Sequence, residues 1–199
     1  MYARLNGRLV AASLSAGCFF AMAVLASALF APAAQAEERV CRGTIGAMTV
    51  DNLRVPQGAS CTLNGTRVEG TVKVERNARL TANGIRVKGN VQSEGFKNIV
   101  LRQASVVVGS VQLENGLSDG SGRVINTRIN GDLQFFSNEA RMIARGKTIL
   151  ANFQANQNMG GLVIENNRVA ENLQCQSNNP PPTGGNNTAG DKEGQCARL

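Results

Sequence analysis

The chain has 199 residues, 21 Lys and Arg against 14 Asp and Glu, a formal net charge of +7, no His and no Trp. Without His the usual nitrogen ligand of mixed zinc sites is missing, and so is the commonest general base. The basic balance favours anionic partners mildly, and a solvated basic surface produces the same composition.

At the start, Arg4 and Arg8 precede an apolar stretch from Leu9 to Phe30, followed by Pro32 and the small-residue pattern Ala34-Gln35-Ala36. This predicts a secretory signal peptide over residues 1–36, cleaved before Glu37. The apolar stretch approaches the ~20 residues of a spanning helix, but the abrupt change to Glu37-Glu38-Arg39 favours processing over a retained anchor. A lipid-modified Cys18 would leave apolar Phe19 to Phe30 on the mature protein and is disfavoured. The mature part, 37–199, then carries 19 of the Lys and Arg and all 14 acids, a net 19 − 14 = +5. It is long enough for one domain and too short for two.

Four cysteines remain, Cys41, Cys61, Cys175 and Cys196, a pair near each end. An even count in an exported chain predicts disulfides, and the spacings lack the short Cys-x-x-Cys knuckles of zinc sites.

From residue 52 onward one motif returns: an apolar residue, a spacer, usually Gly, a small polar residue, an apolar residue and Gln. It reads Arg67-Val68-Glu69-Gly70-Thr71-Val72-Lys73, Arg86-Val87-Lys88-Gly89-Asn90-Val91-Gln92 and Val106-Val107-Val108-Gly109-Ser110-Val111-Gln112. Three more copies end on Gln134, Gln154 and Gln174, and a degenerate first copy surrounds Leu53. A period near 20 residues with Val-rich alternation, and no 3.6-residue pattern, predicts an all-β, single-stranded parallel β-helix of about seven coils over 37–175. Coils of variable length fit the right-handed form. Two inward columns follow: Val68, Val87, Val107, Ile129, Ile149 and Val169, and beside it Leu53, Val72, Val91, Val111, Leu133, Phe153 and Leu173. Gly70, Gly89, Gly109 and Gly131 between them are expected at a corner whose backbone angle disfavours a side chain.

A second strand follows each central residue, as Cys61/Leu63, Leu80/Ala82 and Ile99/Leu101. Arg141 falls on a later inward slot, so the register is expected to shift onto Met142. Asn115 to Gly122 reads as a protruding loop. The tail 176–199, rich in Pro, Gly and Asn, is expected to form no core and to close over the end of the solenoid as a disulfide-bounded loop. In a seven-coil solenoid the ends lie ~30 Å apart, at ~4.8 Å per coil, so the pairing expected is Cys41–Cys61 and Cys175–Cys196.

These repeats, with the tail Leu173-Gln174-Cys175…Asn179-Pro180-Pro181-Pro182-Thr183-Gly184-Gly185…Gly194-Gln195-Cys196, resemble small exported bacterial right-handed β-helix proteins of unknown function. The resemblance implies fold and export and no activity. More distantly, the coils resemble the bactofilin β-helix, a self-polymerising scaffold of the cytoplasm, from which the leader and cysteines set this chain apart.

For chemistry the sequence offers little. The mature chain has four Asp, at 51, 119, 132 and 191, none beside another acid, and acidic residues are read as scattered solubilising groups that do not recur at one coil position. The paired carboxylates of glycoside hydrolysis, the acidic calcium cluster of lyases and the parts of nucleophilic catalysis are therefore not expected, nor is a cofactor or metal. Two outward columns stand out. Gln92, Gln112, Gln134, Gln154 and Gln174 can hydrogen-bond along the stack, or offer a polar strip to a polysaccharide. Arg67, Arg86, Arg128 and Arg168, interrupted by Val106 and Thr148, place like charges close together and invite a counter-anion, though screening in water makes exposed Arg tolerable. The expected function is a non-enzymatic structural or interaction protein, periplasmic or secreted, of a bacterial envelope or exterior. The alternative is a binding module for anionic glycan or envelope polymer, and a polysaccharide-active enzyme is the third reading. No nucleic-acid partner is expected, and no membrane span after cleavage.

Overall fold

The computed structural model describes residues 37–199; the expected signal peptide, with Cys18, lies outside the described residues. Residues 37–199 wind as a parallel β-solenoid whose turns each visit three faces. Face A stacks nine strands, from Glu38–Val40 to Asp191–Gly194; face B stacks eight, from Thr44–Ile45 to Thr183–Gly185; face C stacks seven, from Thr49–Val50 to Arg168–Val169. One turn runs through Val91–Glu94 on face A, Asn98–Arg102 on face B and Ser105–Val107 on face C, then re-enters face A at Val111–Glu114. Every strand pairing is parallel, with Val91 in register with Val72 on one side and Val111 on the other.

The solenoid forms because alternate residues of each strand face a common interior. Both predicted apolar columns are buried along their whole length. At about 1.5–3 kcal/mol for each fully buried Val, Leu or Phe, they are the main stabilising term. Within the interior, Phe135 and Phe153 meet edge to face, with ring centroids 5.4 Å apart. On face B, Met142 pairs with Gly122 and Ala144 with Val124, so Met142 and Ala144 point inward and Arg141 is exposed, as the expected shift requires.

Both disulfides form as expected, with Cα separations of 5.6 Å for Cys41–Cys61 and 5.2 Å for Cys175–Cys196. Their sequence separations, 20 and 21, equal about one turn, so each bridge ties adjacent turns together at one end. Constraining a loop of that size contributes about 3 kcal/mol. Two disulfides also fit an oxidising compartment.

The corners differ from expectation. Between faces A and B the chain turns through left-handed residues, Gly95, Asn115, Ser137, Gln157 and Ser177, and between B and C through Gly84, Gln103, Asn126, Gly146, Asn166 and Asn186. Asn tolerates this region better than most residues. Gly70, Gly89, Gly109 and Gly131, at the C-to-A corner, do not have positive φ. They are glycines because the turns stack closely there: a Cβ on Gly89 would stand 2.6 Å from the Gly70 carbonyl oxygen, and one on Gly131 2.5 Å from Ser110 Oγ.

Three further expectations are corrected. Asn115 to Gly122 is a smaller excursion than expected: Gly116 is buried, its N–H donates to Asn138 Oδ1 at 2.9 Å, and Gly120 closes a tight turn onto the Leu117 carbonyl at 2.8 Å, which leaves Ser118 and Asp119 exposed at the tip. The tail is not merely a covering loop. Thr183–Gly185 pairs with Leu162–Glu165, Thr188 bridges Arg168, and Asp191–Gly194 pairs with Asn172–Gln176, so it builds a further turn without an apolar column. With Glu38–Val40 at the other end the total is about eight turns instead of seven. Both end strands escape the repeat pattern because Arg39 and Lys192 stand where the central apolar residue would be, in register with Leu53 and Leu173.

Candidate functional site

The outward side of face A carries the Gln column. Gln92 Nε2 donates to Gln112 Oε1 at 2.6 Å, Gln112 to Gln134 at 3.0 Å, Gln134 to Gln154 at 3.4 Å and Gln154 to Gln174 at 3.1 Å. Gln174 then donates to Glu193 Oε2 at 3.0 Å, so the donors run one way and end on a carboxylate. Lys73, in register with Gln92, stands at the acceptor end. Each amide has two N–H groups and two acceptor lone pairs. The ladder uses one of each in Gln112, Gln134, Gln154 and Gln174, leaving one N–H and one lone pair of each free, while Gln92 at its head donates only and keeps both lone pairs.

The Arg column lies on face C. Arg67 is in register with Arg86, Arg86 with Val106, Val106 with Arg128, Arg128 with Thr148 and Thr148 with Arg168. Among the described residues none of the four forms an ion pair. Arg128 Nε donates to Asn130 Oδ1 at 3.1 Å. The Arg and Gln columns thus belong to different faces, separated by the glycine corner, and do not make one surface.

A third column contradicts the reading of the acids as scattered. Val74 pairs with Val55 and Ser93, so the next residue, Glu75, stands in line with Glu94, and Glu94 is in register with Glu114. The three carboxylates stack at one turn position of face A, beside the Gln column. Glu75 is compensated: it accepts from the Gln57 N–H at 2.9 Å and from Arg54 at 3.3 Å. The Gln57 hydrogen bond is the largest effect and lowers its pKa; burial opposes it, and the Arg54 hydrogen bond and charge add to the lowering. Glu94, Glu114 and nearby Glu139 have no cationic partner among the described residues. Between the Glu and Gln columns and the A-to-B corner the surface sinks into a cleft of about 830 Å³, lined also by Arg76, Leu117 and Ser137. No set of three or more Cys, Asp or Glu among the described residues is placed to hold a metal ion.

Inside the corners run amide ladders that the repeat pattern does not show. Asn138, Asn158 and Asn178 are buried; Asn138 Nδ2 donates to Asn158 Oδ1 and Asn158 Nδ2 to Asn178 Oδ1, both at 2.8 Å, and each also donates to a core carbonyl. A shorter ladder joins Asn167 to Asn187 at the B-to-C corner, and there the preceding turn places Lys147. Its Nζ is buried without a hydrogen-bond partner, and burial first, then the Arg145 charge, drives its pKa well below the ordinary lysine value.

Fold and surface together define a disulfide-stapled parallel β-solenoid with an Arg column on face C and a Glu column on face A. No protein-family model matches the chain, and no match is found among curated proteins or solved structures.

Proposed function

We propose that the chain is an exported, non-enzymatic interaction protein that holds a linear polyanion, an acidic glycan or envelope polymer, along face C. The observation that carries this reading is the Arg column. Arg67 and Arg86 are adjacent in the stack, ~4.8 Å apart at the strand level, and neither they nor Arg128 and Arg168 find a carboxylate among the described residues. A repeating anion would relieve that repulsion, and the parallel ladder spaces the charges by whole turns, one between Arg67 and Arg86 and two from Arg86 to Arg128 and from Arg128 to Arg168. Export is supported by the leader pattern over residues 1–36 and by the two disulfides.

The test is retention on an immobilised polyuronate as ionic strength rises. The expected result is binding at low salt and release as salt screens exposed charges over about 10 Å at 0.1 M. Arg67→Gln, Arg86→Gln and Arg128→Gln combined should abolish retention and leave the melting temperature nearly unchanged, because all three side chains are exposed. Retention that survives the triple change rules out face C.

A further inference from the structure

Face A differs from face C in shape and in charge. Its cleft spans successive turns, and about 830 Å³ lies within the few hundred to a thousand cubic ångströms of ordinary ligand sites. Around it Glu75, Glu94, Glu114 and Glu139 face Lys73 and Arg76, so this depression is acidic on a chain whose residues 37–199 carry a net 19 − 14 = +5. Glu75 is already compensated by Arg54. The remaining three carboxylates are not, in a place where a cation from outside can reach them.

Beside them, after the ladder is formed, Gln92 keeps one N–H and both lone pairs free, and Gln112 one N–H and one lone pair. Hydroxyl groups, which both donate and accept, match that free capacity. Sugar hydroxyls and a positive charge in one linear molecule describe a glycan with free amino groups. We propose that the face A cleft binds a short glycan segment of amino sugars, its ammonium groups on Glu94 and Glu114 and its hydroxyls on the Gln92 and Gln112 amides. This site is independent of the face C reading and takes a ligand of opposite charge.

Calorimetric titration of the protein with a glucosamine tetramer, and with its fully N-acetylated counterpart, tests the assignment. The free-amine tetramer should bind, and acetylation should weaken it by about tenfold or more, a loss of ~1.4 kcal/mol. Glu94→Gln with Glu114→Gln should cause a similar loss with an unchanged melting temperature, since both side chains sit on the surface of the stack. The Arg67, Arg86 and Arg128 triple variant should bind the tetramer as the wild type does, which keeps this outcome separate from that of the polyuronate experiment. Failure of the free-amine tetramer to bind, equal binding of the acetylated one, or full affinity in the double Gln variant would each overturn the proposal.

Discussion

The backbone N–H of Lys147 donates to the side-chain oxygen of Asn167 at 3.2 Å, which places these two residues in successive turns of one inward corner column. Asn167 Nδ2 has two acceptors, the Ala144 carbonyl at 3.0 Å and Asn187 Oδ1 at 2.8 Å. Lys147, 2% exposed, has none for its Nζ. The same column holds Thr66, Ser105 and Thr127, each satisfied by a nearby carbonyl. Lys147 is the one member that the corner does not accommodate.

Lys147→Asn should therefore extend the ladder, donating to Asn167 Oδ1 and to the carbonyl of Val124, which lies one turn before Ala144. Satisfying a buried polar group instead of leaving it orphaned is worth about 1–3 kcal/mol, or several degrees in melting temperature for a domain of this size. The pH dependence has a definite sign. The folded pKa lies below the unfolded one, so the unfolded chain binds the extra proton and stability rises with pH between the two values. Wild-type stability should climb as pH rises from the lowered folded value toward about pH 10, the unfolded lysine value, and the slope should flatten in Lys147→Asn and Lys147→Met. Chemical denaturation across that range measures it, and equal slopes in all three would show that Nζ is not buried.

The two kinds of corner predict opposite substitution rules. At Gly84 φ is +60 and an added Cβ meets nothing closer than the Gln103 oxygen at 3.4 Å. Asn there should be tolerated better than Ala, as Asn126 and Asn166 are in later turns. At Gly109, with no such φ, a Cβ would lie 2.6 Å from the Gly89 carbonyl oxygen and closer still to Asn90 Oδ1. Both Ala and Asn should cost about 1–3 kcal/mol there through overpacking. Thermal melts of the four variants check the rule, and a Gly109→Asn protein as stable as wild type would return the glycine to a matter of backbone angle.

The inward columns and the disulfide pairing are legible in the sequence because Val, Leu and Cys at a period near 20 leave few other arrangements. The Glu column is equally regular, since Glu75, Glu94 and Glu114 each lie three residues after Val72, Val91 and Val111. It lies beyond the repeated motif, which ends one residue after the central apolar position, and the later turns break it with Phe136 and Asn156. Asn138, Asn158 and Asn178 also repeat at 20, but Asn outside a strand reads as a turn residue, and nothing in composition separates a turn Asn facing water from one hydrogen-bonded in the core. Lys147 is hidden for a similar reason: a lysine between strands is ordinarily solvated, and only the stacking of turns shows that this one faces inward. The cleft depends on where corners bulge between stacked turns, which spacing along the chain does not encode.

The ends of the solenoid carry a last consequence. An open parallel stack invites a second copy to continue it, and natural sheets block such growth with charges at the edge. If Glu38–Val40 of one copy continued the face A register on Asp191–Gly194 of another, Glu38 would stand opposite Asp191 and Arg39 opposite Lys192, because these residues align with Asn52 and Leu53 at one end and Asn172 and Leu173 at the other. Like charges placed directly opposite destabilise a strand pair. The Arg39 and Lys192 pair would also occupy the apolar column itself, where an unmatched charge is costly. Lys192 is moreover engaged, donating to the Leu199 carbonyl at 2.7 Å. Glu38→Lys together with Lys192→Glu would reverse both repulsions, setting the introduced lysine against Asp191 and the introduced glutamate against Arg39. Sedimentation velocity should find wild-type protein without end-to-end association at any salt concentration, and the double variant associating at low salt and dissociating as salt rises. A double variant that stays unassociated at low salt would show that something other than edge charge blocks the ends.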